Sequence, residues 1–262
     1  MAGDLPVFAP DLAAGGAGDA DYRLDALTQA EQRHFWFVSR FRLIAWAISR
    51  YFPSCRSLLD VGCGTGGVLA ALQARLPGVR LEAADALTSA LHYAAKRLPG
   101  VAFAQADIGR LPYDQEFDVI GAFDVIEHLD DDERALREMF RASAPGGGLV
   151  VTVPQHPFLW SAVDQFSHHR RRYTRRELQR KLIGAGFRIE RMTSFTTLLL
   201  PALMAARLTE RNPETFDPVA ELRIGAATNA LFRLLSDIEH AAIRAGLSFP
   251  AGGSLLAVAR RP

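Results

Sequence analysis

Three aspartates and two histidines fall where alternating strands and helices would bring them to one rim. Asp60 stands two residues before the first glycine of Leu58-Leu59-Asp60-Val61-Gly62-Cys63-Gly64-Thr65-Gly66-Gly67. Asp85 closes Leu81-Glu82-Ala83-Ala84-Asp85-Ala86, and Asp107 lies in Ala106-Asp107-Ile108. His128 follows Glu127 after a strand-like run, and His169 sits in Asp164-Gln165-Phe166-Ser167-His168-His169. A carboxylate about 20 residues past a glycine turn can accept both hydroxyl protons of a ribose. A histidine titrating near neutrality can take the proton of a hydroxyl that is to act as a nucleophile. Cys63, inside the turn, has no neighbouring His or Lys to activate it and reads as a small residue that fits there.

Glycine is required where the backbone takes positive φ or must approach a ligand closely. Gly62, Gly64 and Gly67 satisfy G-x-G-x-x-G, so a dinucleotide site has to be weighed. That fingerprint sets a pyrophosphate on a helix amino end, and Asp60 would face this double anion across a short distance. A cationic ligand without phosphate suits the carboxylate better. Asp60-Val61-Gly62-Cys63-Gly64-Thr65-Gly66 as a whole resembles motif I of the class I S-adenosylmethionine-dependent methyltransferases. The resemblance covers roughly 57–155. It implies S-adenosyl-L-methionine as cofactor, held by Asp60, Gly62, Cys63, Gly64 and Gly66 at the loop and by Asp85 and Ala86 at the ribose. It also implies Asp107 at the adenine amino group, Ile108 against the ring, and the backbone near Phe123 at the methionine moiety. Glu127-His128-Leu129 is similar to the ending found in small-molecule O-methyltransferases of the ubiquinone-biosynthesis type. Arg40 could clamp the cofactor carboxylate with its bidentate fork, or face solvent on an amphipathic helix.

The acceptor side is read from three candidate catalytic residues, His128, His169 and Tyr173. His128 would act as general base, or else order its loop and cap the next helix. His169, Arg171, Arg172 and Tyr173 match an H-x-R-R-Y-T stretch that is similar in many bacterial methyltransferases. Asp164 and His168 belong to the same set. Five arginines within 170–176 could hold a phosphate or carboxylate of the acceptor; the alternative is a solvated helix start. The expected activity is therefore O-methylation of a small or lipid-like acceptor with an anionic group. A nicotinamide-dependent oxidoreductase, disfavoured by Asp60, and a cofactor-binding protein without transfer activity are the alternatives.

The elements that must position these residues are legible as alternation. Apolar runs predict strands at 57–61, 79–84, 101–106, 117–123, 148–153, 187–195 and 254–260, with helices at 67–76, 88–97, 130–143 and 175–185. This predicts an α/β, Rossmann-like, seven-stranded and mostly parallel sheet with helices on both faces. A helical cap over 22–52 precedes it, and a helical insertion over 196–250, with helices about 197–210 and 217–246, precedes the last strand. Leu231, Leu234, Leu235 and Ile238 give the second of those an apolar stripe. Residues 1–20 read as a disordered tail without a secretory signal, and 21–262 as a single domain.

A formal net charge of +1 over 262 residues argues against a general nucleic-acid surface. Two cysteines without ligand spacing point to a reducing cytoplasm and to no metal site. The stretch Phe195–Leu208 is too short to span a bilayer; it offers a peripheral membrane contact or ordinary core packing.

Overall fold

The computed structural model describes residues 5–13, 24–209 and 223–262. Along the chain run α1 (Pro10–Ala13), α2 (Leu24–Arg33), α3 (Phe35–Tyr51), β1 (Ser57–Val61), α4 (Gly67–Arg75), β2 (Arg80–Asp85), α5 (Thr88–Arg97), β3 (Ala102–Gln105) and β4 (Phe117–Phe123). They are followed by α6 (Asp132–Ala142), β5 (Ser143–Pro154), α7 (Ala162–Phe166), α8 (Arg175–Gly184), β6 (Arg188–Phe195), α9 (Leu200–Thr209), α10 (Ala226–Arg244) and β7 (Ser254–Arg260). The strands form one sheet in the order β3-β2-β1-β4-β5-β7-β6, with β7 antiparallel to both neighbours.

β1 is buried along its whole length, as expected of a central parallel strand covered on both faces. Its side chains alternate between two cores. Leu58 joins Phe41, Ile44, Leu69, Leu91 and Val150 on the α3–α4–α5 face. Leu59 joins Ile120, Leu136, Met139, Val151 and Leu182 on the α6–α8 face. The strand order reverses between β1 and β4, where Asp60 pairs in register with Gly121. In such sheets the crevice outside the carboxyl ends at this switch is where ligands bind.

Several expectations are corrected. The cap is two helices, because His34 takes an extended conformation and accepts the Trp36 N–H through Nδ1. Asn229 of α10 bridges the break, accepting from Phe35 N at 2.8 Å and donating to Arg33 O at 3.0 Å. Residues 22–23 lie outside the described residues, as do 210 and 217–222 of the expected insertion helices. Part of the expected tail is ordered: Phe8 N donates to Gln105 O and Gln105 N to Pro6 O, so residues 5–9 lie along the end of β3. The apolar stripe of α10 is largely exposed. Leu231, Leu234 and Ile238 are exposed, and the helix buries Ser236, Glu239, His240 and Ile243 instead. At the start of α6, Asp131 caps the helix by accepting from Arg134 N, while Asp132 is buried among Tyr173 and Lys181.

Candidate active site

The chain leaves β1 through a turn in which Gly62, Gly64 and Gly66 all have positive φ (73°, 52° and 77°). Gly62 and Cys63 donate their N–H groups to Ala84 O, tying the turn to β2. A side chain at Gly62 is excluded twice over: the conformation is left-handed, and a Cβ would lie 2.5 Å from a γ-methyl of Val125. Gly64 has open space where its Cβ would be. The Asp85 carboxylate straps the turn, accepting from Gly64 N at 2.8 Å and from Leu87 N at 2.9 Å. Beneath the turn, Glu31 of α2 accepts from Thr65 Oγ1 and from Arg97. Nothing in the glycine pattern announced Glu31.

Asp60 is 1% exposed, so it lies behind the crevice wall and not in direct contact with the crevice. Burial, reinforced by Asp85 and opposed by Arg40, pushes its carboxyl up to about 8. Arg40 is itself buried, with its guanidinium 4.4 Å from the Trp36 ring and in ion-pair contact with Asp124. Desolvation lowers it to about 10, against the pull of Glu127, Glu31 and Asp60. Its Nε is buried without a hydrogen-bond partner, a donor suited to a carboxylate. Asp107 accepts from Gly109 N at 2.7 Å, the carbonyl of Ala86 accepts from Gln105, and Ile108 and Phe123 are buried beside the strand ends. The burial of Cys63 pushes its thiol well above its ordinary value, consistent with a packing role.

An open glycine backbone, the Asp85 carboxylate and an unmatched guanidinium donor fit S-adenosylmethionine, with ribose hydroxyls for Asp85 and a carboxylate for Arg40. They fit a pyrophosphate poorly, because the Asp85 carboxylate already occupies the Gly64 N–H that a phosphate would need.

The opposite wall comes from the carboxyl ends of β4, β5 and β6. Asp124, His156 and Thr196 follow these three strands, and each has positive φ (59°, 65° and 60°). Non-glycine residues in this region carry strain that concentrates at functional sites. Asp124 N donates to Thr152 O, fixing the first of these corners. A short turn, Ile126–His128, then presents Glu127 and His128. The Glu127 carboxylate is fully buried, neither oxygen has a hydrogen-bond partner, and burial pushes it up to about 8. His128 lies edge-on to His169 with ring centroids 4.7 Å apart. Burial and the neighbouring His169 and His168 lower it to about 4, so it is a neutral imidazole.

His169 is oriented by Asp164, whose Oδ1 lies 2.8 Å from Nδ1. Burial alone would raise Asp164, but the hydrogen bond from His169 and the Arg172 guanidinium hold it below its ordinary value. Arg172 Nε reaches both oxygens of Asp164 at 2.8 and 3.0 Å, and Ser161 completes a capping box on the same carboxylate. His128 and His169 are therefore brought together. Tyr173 is not part of that group: its ring is fully buried and its hydroxyl donates to Asp132. The expected arginine cluster is also dispersed. Arg171 binds the carbonyls of Leu129 and Asp130, Arg172 is committed to Asp164, and Arg175 donates to Met192 O. The expected apolar insertion contributes a crevice between α3 and α10, where Glu239 accepts from the N–H groups of Thr196, Thr197 and Leu198.

The family described as Methyltransferase domain matches residues 30–191, more than half of the chain. A trans-aconitate 2-methyltransferase of Methylobacterium nodulans is 36% identical over 99 residues, 38% of this chain and 38% of its own. A protein of Mycobacterium tuberculosis named "Probable S-adenosylmethionine-dependent methyltransferase" is 34% identical over 163 residues, 59% of this chain and 56% of its own. The chain thus spans from 38% to 56% of the length of these curated relatives. Among solved structures, the 4+2 cyclase SpnF superposes with a TM-score of 0.62 at 23% identity, over 92% of this chain and 94% of that one; this likeness shows the fold alone. The loop, the switch-point crevice and the family match agree: the chain belongs to the Methyltransferase domain family, within the class I S-adenosylmethionine-dependent methyltransferases, and its cofactor is S-adenosyl-L-methionine.

Proposed function

We propose that this chain transfers the methyl group of S-adenosylmethionine to an oxygen of a small acceptor that carries an anionic group. The observation that supports this reading is the His128–His169 pair at the carboxyl ends of β4 and β5, across the switch-point crevice from the Asp85-strapped glycine turn. Asp85, Asp107 and Ile108 would hold the adenosine, and Arg40 the methionine carboxylate. Transfer is an in-line displacement, so the acceptor oxygen must be held about 3 Å from the methyl carbon. A hydroxyl acceptor must also lose its proton. As a neutral imidazole, His128 can receive that proton. The name of the Methylobacterium relative is that of a carboxylate acceptor, which favours the anionic class.

Leu198, next to the corner that Glu239 holds, and Met204 on α9 are exposed, an observation that favours an amphiphilic acceptor and contact with a membrane surface as a second reading. Among the described residues, no helix is long and apolar enough to cross a membrane.

The test supplies S-adenosylmethionine with a deuterated methyl group and offers trans-aconitate, hydroxylated aromatic acids and a prenylated phenol, with products followed by mass spectrometry. A labelled methyl ester or ether is expected on an acid-bearing acceptor. A product labelled only on nitrogen or carbon would overturn oxygen transfer. Tight cofactor binding with no labelled product from any acceptor would favour a protein that binds the cofactor without using it.

A further inference from the structure

At the carboxyl ends of β4 and β5 one carboxylate oxygen and two ring nitrogens converge. Each of Glu127, His128 and His169 offers one ligand atom, and the three atoms lie within 4.8 Å of one another. The Glu127 carboxylate is fully buried, and both its oxygens lack a partner. His169 Nδ1 is taken by Asp164, which turns Nε2 towards Glu127 Oε1 at 4.0 Å. His128 spends one ring N–H on the carbonyl of Ser167, so its other nitrogen carries a lone pair. Leaving a buried carboxylate unmatched is costly, and one proton cannot satisfy three acceptors at these separations. A cation can.

We infer that Glu127, His128 and His169 form a binding site for a divalent first-row transition-metal ion. Two imidazoles and one carboxylate suit zinc, iron, cobalt, nickel or manganese, whereas magnesium and calcium prefer oxygen ligands throughout. Ligand atoms held about 2.0–2.2 Å from one ion lie closer together than the three do here, so binding draws them inwards by side-chain rotation.

The supporting layer is already present. A metal-bound histidine ordinarily passes its second N–H to a carboxylate or carbonyl, which fixes the tautomer. Asp164 does this for His169, and Ser167 for His128. Asp164 is itself held by Arg172 and Ser161. The Arg40 and Arg172 guanidiniums also act on Glu127, and their ion pairs with Asp124 and Asp164 reduce the positive charge that an incoming cation meets.

Three protein ligands leave positions for an acceptor oxygen, the arrangement of catalytic rather than structural metal sites. There the ion would bind an acceptor hydroxyl or carboxylate and supply the positive charge that the dispersed arginines do not. With the ion bound, His128 is a ligand and no longer the base, so the O–H proton of a hydroxyl goes to water. The oxygen lone pair then forms the new bond to the methyl carbon, and the sulfur keeps the electron pair of the broken S–C bond. This use of the ion rests on the oxygen-transfer reading; the binding of the ion does not.

The test titrates Co(II) into the metal-stripped full chain without acceptor, following visible absorption and calorimetry, and then competes the cobalt with Zn(II). One cobalt per chain is expected, with ligand-field bands that zinc abolishes. Glu127→Gln, His128→Ala and His169→Ala should each weaken cobalt at least about tenfold, while His92→Ala, an exposed histidine on α5, should change nothing. Binding of S-adenosylhomocysteine by the same variants reports that they are folded. No stoichiometric cobalt in a chain that binds S-adenosylhomocysteine would overturn the metal site and leave the methyltransferase reading standing, as would cobalt affinity untouched by all three substitutions. Stoichiometric cobalt that depends on those residues, in a chain that makes no oxygen-methylated product, would keep the site and sink the reading.

Discussion

A single added carbon measures how tightly the glycine turn is built. Gly62 has φ of 73°, and a Cβ there would meet the side chain of Val125, which leads out of β4. The left-handed conformation costs a non-glycine residue about 1–2 kcal/mol, and the overlap adds about 1–3 kcal/mol. Gly62→Ala is therefore expected to lower Tm by about 5–10 °C at this chain length, measured by scanning calorimetry. Adding Val125→Ala should recover only part of that loss, because it restores space and leaves the backbone strained. Full recovery would show that the conformation at Gly62 is not demanding.

Residues of this kind were legible in the sequence: the glycines, Asp85, Asp107 and His128 announce themselves by type and spacing. Glu31 and Asp164 did not reveal their partners, because a carboxylate that braces a turn or orients a histidine has no spacing rule; its partner is set by three-dimensional proximity. Tyr173 shows the converse error. Its place in a motif suggested chemistry, yet its hydroxyl serves Asp132 in the core.

Among the elements, α10 carries the clearest lesson. Its apolar residues at 231, 234 and 238 form a stripe, but the buried face is Ser236, Glu239, His240 and Ile243. Periodicity reports that a face exists and not which neighbour claims it. Here Glu239 decides the orientation, because its carboxylate accepts three backbone N–H groups at the corner where β6 ends and Thr196 has positive φ. Removing that acceptor leaves buried donors unmatched at about 1–3 kcal/mol apiece. Glu239→Ala is expected to cost at least about 3 kcal/mol in urea unfolding, whereas Leu234→Gln on the exposed face should stay within about 0.5 kcal/mol. Equal effects from the two substitutions would mean that the orientation of α10 is wrong. The break at His34 has a similar origin: Asn229, nearly two hundred residues away in sequence, bonds both sides of it.

For the whole molecule, buried titratable groups set an acid–base signature. The carboxyl of Asp60 is raised to about 8 in the folded chain, whereas an unfolded aspartate titrates near 4. The folded state holds the extra proton across that window, so this residue's contribution to stability falls as pH rises through it. His240, lowered to about 4 by burial, behaves oppositely. The unfolded chain binds its proton below about 6.5, and stability is lost as pH falls from there towards 4. Relative to Asp60→Asn, the cofactor-free chain should therefore lose stability between about pH 5 and pH 8. Relative to His240→Gln, it should lose stability below about pH 6.5. Urea midpoints across that range check both signs, and a reversed slope for either residue would contradict the burial that assigns it.

The sheet itself was the easiest part to read, since alternating apolar runs specify strands and short linkers specify parallel pairing. The rim where β4, β5 and β6 end was not, because its corners rest on Asp124, His156 and Thr196 in conformations that their residue types do not favour. The claim that carries everything else is that the glycine turn, strapped by Asp85, holds S-adenosylmethionine and not a dinucleotide. Calorimetric titration of the chain and of Asp85→Ala with S-adenosylmethionine, S-adenosylhomocysteine and NAD tests it directly. The account predicts saturable binding of the first two by the parent chain, affinity weakened at least about tenfold (~1.4 kcal/mol) in Asp85→Ala, and no heat from NAD. Saturable NAD binding, or S-adenosylmethionine affinity indifferent to Asp85, would contradict it.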